Sequence, residues 1–366
     1  IPPRDSRVLQ TVDLLQQEIL SGSLQGPLPG ERELARQLRI GRITLRSALK
    51  ILEEKQWISI SKPGVRRTTL KPPQKQSSST KNSHGAYKGK VVVTLTPQNL
   101  VDQPTNERLD YTRLQAYCSS AKVTLRHRKL DTAHLKNPDH RLREFIKQNP
   151  ADLYLLQLVS KETQLWFSKE KISSIVLGSV WPGCDLPSVD YDQKALGLHA
   201  ASTLSRLGHK KVGMLYPTPE RQGLKLFQQG FLAAAVETEL VLTKMEDSPE
   251  SVSKALSSLT SSSSKQVTAI ILPRIPYAIS ATSMLAAAGL NVPKDISLLC
   301  LVYDEMIKYT HPPVSGYDIG IDLFPKAIFE LVVDKLLHPE TVSSEPTLVM
   351  PNFISASSLA TAPVAT

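Results

Sequence analysis

Leu28-Pro29-Gly30-Glu31-Arg32-Glu33-Leu34-Ala35, followed after a short turn by Ile40-Gly41-Arg42-Ile43-Thr44-Leu45-Arg46-Ser47-Ala48-Leu49, decides how this chain is read. Pro29 and Gly30 close a tight connection, and the residues after them predict a short helix over about 31–38 that buries Leu34, Ala35 and Leu38. A turn at Arg39-Ile40-Gly41 leads into a second helix over about 42–55. Its core face, Leu45, Ala48, Leu49 and Leu52, repeats at i, i+3, i+4 and i+7. The adjoining face carries Arg42, Arg46 and Lys50, each one helical turn from the next. Two short helices about a tight turn, with cations on the exposed face of the second, form the pattern of a helix-turn-helix.

Working outward, Val8, Val12, Leu15 and Ile19 make one stripe of an amphipathic helix over 6–21, ended by Gly22. On the other side, Trp57-Ile58-Ser59-Ile60-Ser61 alternates as a strand. Lys62-Pro63-Gly64-Val65-Arg66-Arg67 then reads as a hairpin tip, with Thr68-Thr69-Leu70 as the returning partner. A basic hairpin after such a helix is a wing. It would bring Lys62, Arg66 and Arg67 to backbone or minor groove while the second helix sits in the major groove. A plain three-helix bundle needs neither the register of cations nor the hairpin. Charge agrees: residues 1–90 hold seventeen Lys and Arg against seven Asp and Glu, and residues 91–366 hold 27 of each. A basic module on a neutral body suits a polyanion, because phosphate neutralisation releases counterions. Double-stranded DNA is the expected partner.

These two motifs, in this order and separation, resemble the GntR family of bacterial repressors, whose pattern is roughly LPSERELA, then VSRTTVREAL, then LEEEG and a Gly-containing wing. The resemblance spans about 60 residues. It implies that Arg32, Arg42, Thr44 and Arg46 touch DNA, with Gly64 at the wing tip. Arginine bidentate to guanine is the commonest specific major-groove contact. Gly41 stands where the family usually has Ser at the helix N-cap, and Gln56 where it has Gly.

Residues 71–89 have no apolar period and read as a flexible linker stiffened at Pro72-Pro73, so the expected domains are 1–70, a linker over 71–89, and 90–366. From Lys90 onward, apolar strands alternate with amphipathic helices. The predicted strands are Val91–Thr96, Val123–Lys129, Leu153–Leu158, Ser174–Leu177, Lys211–Tyr216, Val267–Leu272 and Ile296–Val302. Helices fall between them, for example Leu109–Ser119, Lys194–Leu207, Leu224–Glu237, Tyr277–Ala288 and Phe324–Leu336. Such alternation implies an α/β body with parallel sheets covered on both faces, and ligands in such folds bind at the carboxyl ends of strands. Leu186-Pro187-Ser188-Val189-Asp190-Tyr191-Asp192 leading to Leu207-Gly208-His209-Lys210-Lys211-Val212 resembles the LacI/GalR effector domain. Gly230-Phe231-Leu232-Ala233-Ala234-Ala235 and Gly289-Leu290-Asn291-Val292-Pro293-Lys294-Asp295-Ile296-Ser297 do so too. That domain is itself similar to periplasmic binding proteins. The resemblance implies two α/β subdomains with an effector in the cleft, the arrangement of arabinose-repressor-type regulators when joined to a GntR-type head.

The same motifs mark departures. The family's cleft Arg falls on Phe227, its Asp on Ile275, its Gln near Ile319, and the Gly of one strand on Cys300. An unpaired hydroxyl in a dry pocket costs about 1–3 kcal/mol, so Phe and Ile in place of polar anchors argue against an ordinary sugar site. Asp192, Arg274, Tyr303 and Asp304 remain as polar candidates, and Trp181 as a ring to stack on. Asp192 reads equally as a helix cap and Trp181 as core. Two readings stay open: a less polar effector, or a degenerate cleft whose domain chiefly dimerises.

No P-loop, G-x-S-x-G, G-x-G-x-x-G or metal-spaced His/Cys cluster occurs, which argues against an enzyme and against a cofactor or metal. His209 reads as structural. Cys118, Cys184 and Cys300 fit neither a disulfide framework nor a zinc site. No apolar run approaches a membrane span, and the opening Ile-Pro-Pro-Arg-Asp has no apolar leader pattern, so a cytoplasmic protein is expected. A solute-binding protein would have no use for residues 1–70. The expected protein is a regulator, by family a repressor, that binds a pseudo-palindromic operator as a homodimer and answers to a small molecule.

Overall fold

In the computed structural model the described residues are 26–37, 41–54, 57–59, 67–70, 87–132, 137–260, 267–320, 322–340 and 342–363, with Thr11, Val12, Leu15, Ile19 and Leu24. The chain divides into two compact units, 1–83 and 84–366, and the division falls inside the stretch read as a linker.

The first unit packs α1 (Glu31–Gln37) and α2 (Arg42–Glu54) over a single apolar cluster. Leu34 and Ala35 enter it from α1, and Leu45, Ala48, Leu49 and Leu52 from α2. Val12, Leu15 and Ile19, which are helical and buried, complete it with Leu28 and Ile58. Each inward residue is the one the 3.6-residue period selects, so burial follows directly from spacing. Three short extended segments flank the helices. Leu28 N donates to Arg67 O (2.7 Å) and Thr69 N to Gly26 O (2.9 Å) on one side of the returning segment. On its other side Ser59 N donates to Thr68 O (2.8 Å) and Leu70 N to Trp57 O (3.0 Å). The returning segment thus pairs on one side with the segment before α1 and on the other with residues 57–59. Gly26, at φ +72, makes the turn into this ladder, a conformation that residues with a Cβ disfavour.

The second unit is a two-lobed α/β body. Its first lobe has a six-stranded parallel sheet of β1 (Val91–Thr96), β2 (Thr124–Lys129), β3 (Leu153–Gln157), β4 (Ser174–Leu177), β5 (Ser188–Tyr191) and β11 (Pro346–Val349). The spatial order is β11-β5-β4-β3-β1-β2. The second lobe holds β6 (Lys211–Thr218), β7 (Glu239–Glu246), β8 (Ala269–Leu272), β9 (Ser297–Cys300), β10 (Ser315–Asp318) and β12 (Asn352–Ile354), in the order β12-β10-β9-β8-β6-β7. Only β12 runs antiparallel there. Four clusters of buried apolar side chains fill the two faces of the two sheets.

The lobes exchange chain over 191–193, 318–323 and 349–352. Tyr191 stacks on Phe324 with ring centroids 4.7 Å apart, and Asp192 N donates to Val349 O at 3.2 Å, so the three crossings bind to one another. After β5 the chain enters α6 (Gln193–Arg206), which packs in the second lobe against α7 (Gln222–Ala234). These helices meet backbone to backbone. A Cβ on Gly230 would lie 2.1 Å from Lys194 O, and one on Gly197 2.1 Å from Phe227 O.

Among the described residues, the sequence reading passed over β7, β10, β11 and β12, and touched β5 only through the resemblance motif that includes Ser188–Tyr191. β7 pairs only with β6 and is largely open on its sides, so Lys and Glu interrupt any apolar run. The other three are of three or four residues, too short for a period to register. No helix among the described residues is long and apolar enough to cross a membrane.

Candidate nucleic-acid interface and ligand cleft

In the head, Arg42, Arg46 and Lys50 are exposed along α2, and Arg32 is exposed on α1. Thr44 is half-buried beside Gly41, in the first turn of α2. The Arg46 guanidinium donates to Glu31 at 2.7 Å across the angle between the helices and keeps 60% of its side chain exposed. An exposed pair of this kind is weak and screened by salt, so it orients Arg46 without locking it away from a phosphate or base. Lys62, Gly64 and Arg66 lie outside the described residues.

Arg67 requires a correction. The sequence places it at a hairpin tip, reaching for DNA. In the structure it stands on the returning segment with 19% of its side chain exposed. It is held by Glu31 at 3.0 Å and by Glu53. Glu31 therefore receives two arginines, and their hydrogen bonds, that of Arg46 foremost, hold its carboxyl below the usual range. Arg67 ties the returning segment to both helices, spending its Nε and Nη1 donors inside the head.

In the body, the carboxyl ends of the strands from both lobes converge on the cleft. From the first lobe come Glu107 and Asp110, in the first turns of α3 (Thr105–Ser120), with Gln157 at the end of β3. Gln157 donates to Glu107 at 3.4 Å. Asp190 and Tyr191 end β5, and Asp190 is only 6% exposed. Its carboxylate accepts from the Ser179 hydroxyl, from Tyr191 N at 2.8 Å and from Gln193 Nε2 at 3.4 Å. From the second lobe come Arg221, at the N-cap of α7, and Arg274, at the N-cap of α9 (Ile275–Ala287). The charges of both arginines act on Glu107 across the gap. Gly223 sets the lobes close here, since a Cβ on it would be 3.2 Å from Ser179 Oγ.

Electrostatics distinguish this cluster from an ordinary surface. Desolvation raises the Glu107 carboxyl, pushes Asp110 up to about 7 and Asp190 up to about 6. Arg221 reaches water, yet the protein around it is dense enough to pull its guanidinium below its ordinary value. A side chain that is wet but crowded on most sides projects into a cleft. Arg274, by contrast, is paired with Asp247, lies over the Tyr277 ring at 5.7 Å, and shares Asp247 with the Tyr277 hydroxyl, which donates at 2.7 Å.

Several positions expected in the cleft are structural. Phe227 and Ile275 are buried in the cores of the second lobe, each on the inward side of its helix. Asp192 caps α6 by accepting from Ala195 N at 2.9 Å, and Asp304 caps a short 3-10 turn by accepting from Met306 N at 2.8 Å. Ile319 and Tyr303 are half-buried, and Cys300 is buried with its thiol pushed up to about 12 by desolvation. Trp181 is half-buried at the edge of the first lobe, and the Lys225 ammonium of α7 sits 5.0 Å above its ring. Of the polar candidates, Arg274 remains with the clustered charges. Against the expectation of a degenerate or weakly polar cleft, polar groups gather here from the ends of β3 and β5 and from the helix starts that carry Glu107, Asp110, Arg221 and Arg274. His209 lies in the core, donating from Nε2 to Ala360 O (3.1 Å) and accepting at Nδ1 from Thr268 (2.9 Å).

Comparison with known proteins assigns both units. Residues 7–66 match the model of the bacterial regulatory proteins of the gntR family, and residues 201–358 match that of the periplasmic binding protein-like domain. The chain is a transcriptional regulator with a GntR-type head and a periplasmic-binding-protein-like body.

The regulator is 23% identical over 305 residues to the arabinose metabolism transcriptional repressor of Geobacillus stearothermophilus, covering 78% of this chain and 80% of that one. Its fold is similar to a LacI family transcriptional regulator from Enterococcus faecium solved with bound ribose. The TM-score is 0.62 at 18% identity, over 74% of this chain and 99% of the other. A putative LacI regulator from Bacillus cereus subsp. cytotoxis gives a TM-score of 0.65 at 16% identity, over 74% and 98%. Glu107, Asp110, Gln157 and Arg221 escaped the sequence reading. A polar residue just past a predicted strand was the available signal, but it does not say which strand ends meet.

Proposed function

We propose that the regulator is a repressor that binds a pseudo-palindromic operator as a homodimer in the cytoplasm and is controlled by a small hydroxylated effector held between the lobes of its body. The observation that carries this reading is the exposed row Arg42, Arg46 and Lys50 on the second helix of a winged helix-turn-helix. Such a helix lies in the major groove, and its arginines reach base edges and phosphates. Lys50, with Lys62, Gly64 and Arg66 of the wing expected from the sequence, adds backbone contacts, and Arg32 and Thr44 fix the register. The Geobacillus relative is a repressor of arabinose metabolism and the Enterococcus regulator was solved with bound ribose, and both support a sugar-like effector here. Glu107, Gln157, Arg221 and Arg274 supply the polar groups that hydroxyls need.

The test is fluorescence anisotropy of the full chain on its own upstream DNA. Arg42→Ala with Arg46→Ala is expected to weaken sequence-specific binding by at least ~30-fold, since each good base contact is worth about 1–3 kcal/mol. Unchanged specific binding by the double variant would refute the assigned reading face.

A further inference from the structure

Resting on the reading of the cleft as an effector site, we infer that it takes a polyol bearing one anionic oxygen group, a sugar acid or a phosphorylated sugar, with Arg221 as the anchor of the anion. The cluster holds two arginines, and they are not equivalent. Arg274 is satisfied within the protein by Asp247, and the Tyr277 hydroxyl closes the set. Arg274, Asp247 and Tyr277 thus form a group with no net charge. Arg221 has no such partner: among the described residues no carboxylate lies within 4 Å of its guanidinium, and no hydrogen bond to it is formed. Five N–H donors and a full positive charge stand in a crowded cleft without an acceptor.

The facing wall does not cancel that charge. Glu107 feels Arg221 but makes no ion pair with it, and desolvation favours its neutral form. Asp110, in the next turn of α3, is pushed the same way. Asp110, at about 7, is thus partly protonated near neutral pH. A protonated carboxyl both donates and accepts, which suits hydroxyls. The Gln157 amide, beside Glu107, adds to that surface. A neutral sugar could accept hydrogen bonds from Arg221 but would leave its charge unbalanced. A carboxylate or phosphate fits the planar fork with two parallel bonds and compensates the charge in the cleft. Phe227 adds a reason from packing, for it fills the core from the inward side of α7, so the cation of that helix is offered from its N-cap instead.

Calorimetry on the full-length protein with matched pairs tests this: D-glucose against D-glucuronate and D-glucose 6-phosphate, and D-ribose against D-ribose 5-phosphate. At least one anionic member is expected to bind ~10-fold or more tightly than its neutral partner, and which arm responds tells carboxylate from phosphate. Arg221→Gln is expected to erase that preference, weakening the anionic member ~10-fold more than its neutral partner, with the melting temperature and the operator affinity of the effector-free protein unchanged. Arg221→Lys should retain part of it. If a neutral sugar binds as tightly as its anionic partners, or Arg221→Gln weakens both alike, the inference fails while the effector reading stands. If no probe binds at ~1 mM and none alters operator affinity, both fail.

Discussion

The contact between α6 and α7 lends itself to a sharp test through Gly230→Ala. The added Cβ would lie 2.1 Å from Lys194 O and 2.9 Å from Lys194 Cα, both backbone atoms that no rotamer change can move aside. Ordinary contact begins near 3.4 Å, so the helices must part by more than an ångström. Parting them unseats Phe227 and Phe231, which are fully buried on the same helix. Overpacking costs typically about 1–3 kcal/mol, and the rigid neighbours put this site at the upper end. Alanine returns about 1 kcal/mol of helix propensity over glycine. The net loss is about 2 kcal/mol, which for a body of this size lowers its melting temperature by roughly 3–4 °C. Gly213→Ala is the control. Its Cβ meets methyl groups of Leu259 at 3.0 Å, the mobile end of a side chain, and the expected cost is about 1 kcal/mol or less. Differential scanning calorimetry of the full chain resolves the body transition. A Gly230→Ala body melting with the wild type, or a Gly213→Ala body melting below Gly230→Ala, would show that the helices do not touch as described.

Two further expectations concern charge. Arg67→Ala removes its ion pairs to Glu31 and Glu53 inside the head, so the head should lose about 1–3 kcal/mol and unfold earlier; a chemical-denaturation curve of the head unchanged by the substitution would return Arg67 to the DNA face. Asp190 is a buried carboxyl raised from 3.8 to about 6, chiefly by desolvation. Because the folded-state value lies above the unfolded one, stability is fully present below pH ~4 and falls as pH rises toward ~6, by roughly 3 kcal/mol. Asp190→Asn, neutral throughout, should escape that fall, so its stability relative to wild type should climb between pH 4 and 6 in urea titrations; a flat difference would mean that the ionised carboxylate is fully compensated.

Much of this protein was determined by sequence alone, and the reason is locality. A 3.6-residue period names the inward face of α2, because Leu45, Ala48, Leu49 and Leu52 lie within three turns of one helix. The ordered motifs around Arg32, Arg42 and Arg46 span one small module, and the alternation beyond Lys90 announces an α/β body. What no local pattern carries is which distant groups meet. Arg67 looked like a tip residue until the ladder drew it against Glu31 and Glu53. Phe227 looked like a displaced cleft residue until the rotation of α7 turned it into the core. Glu107 and Arg221 face each other because two sheets, joined by three crossings, present their strand ends to a common gap. Spacing along the chain fixes which face of an element is buried; the charge a ligand meets in the cleft depends on side chains brought together from opposite lobes, and only tertiary packing decides that.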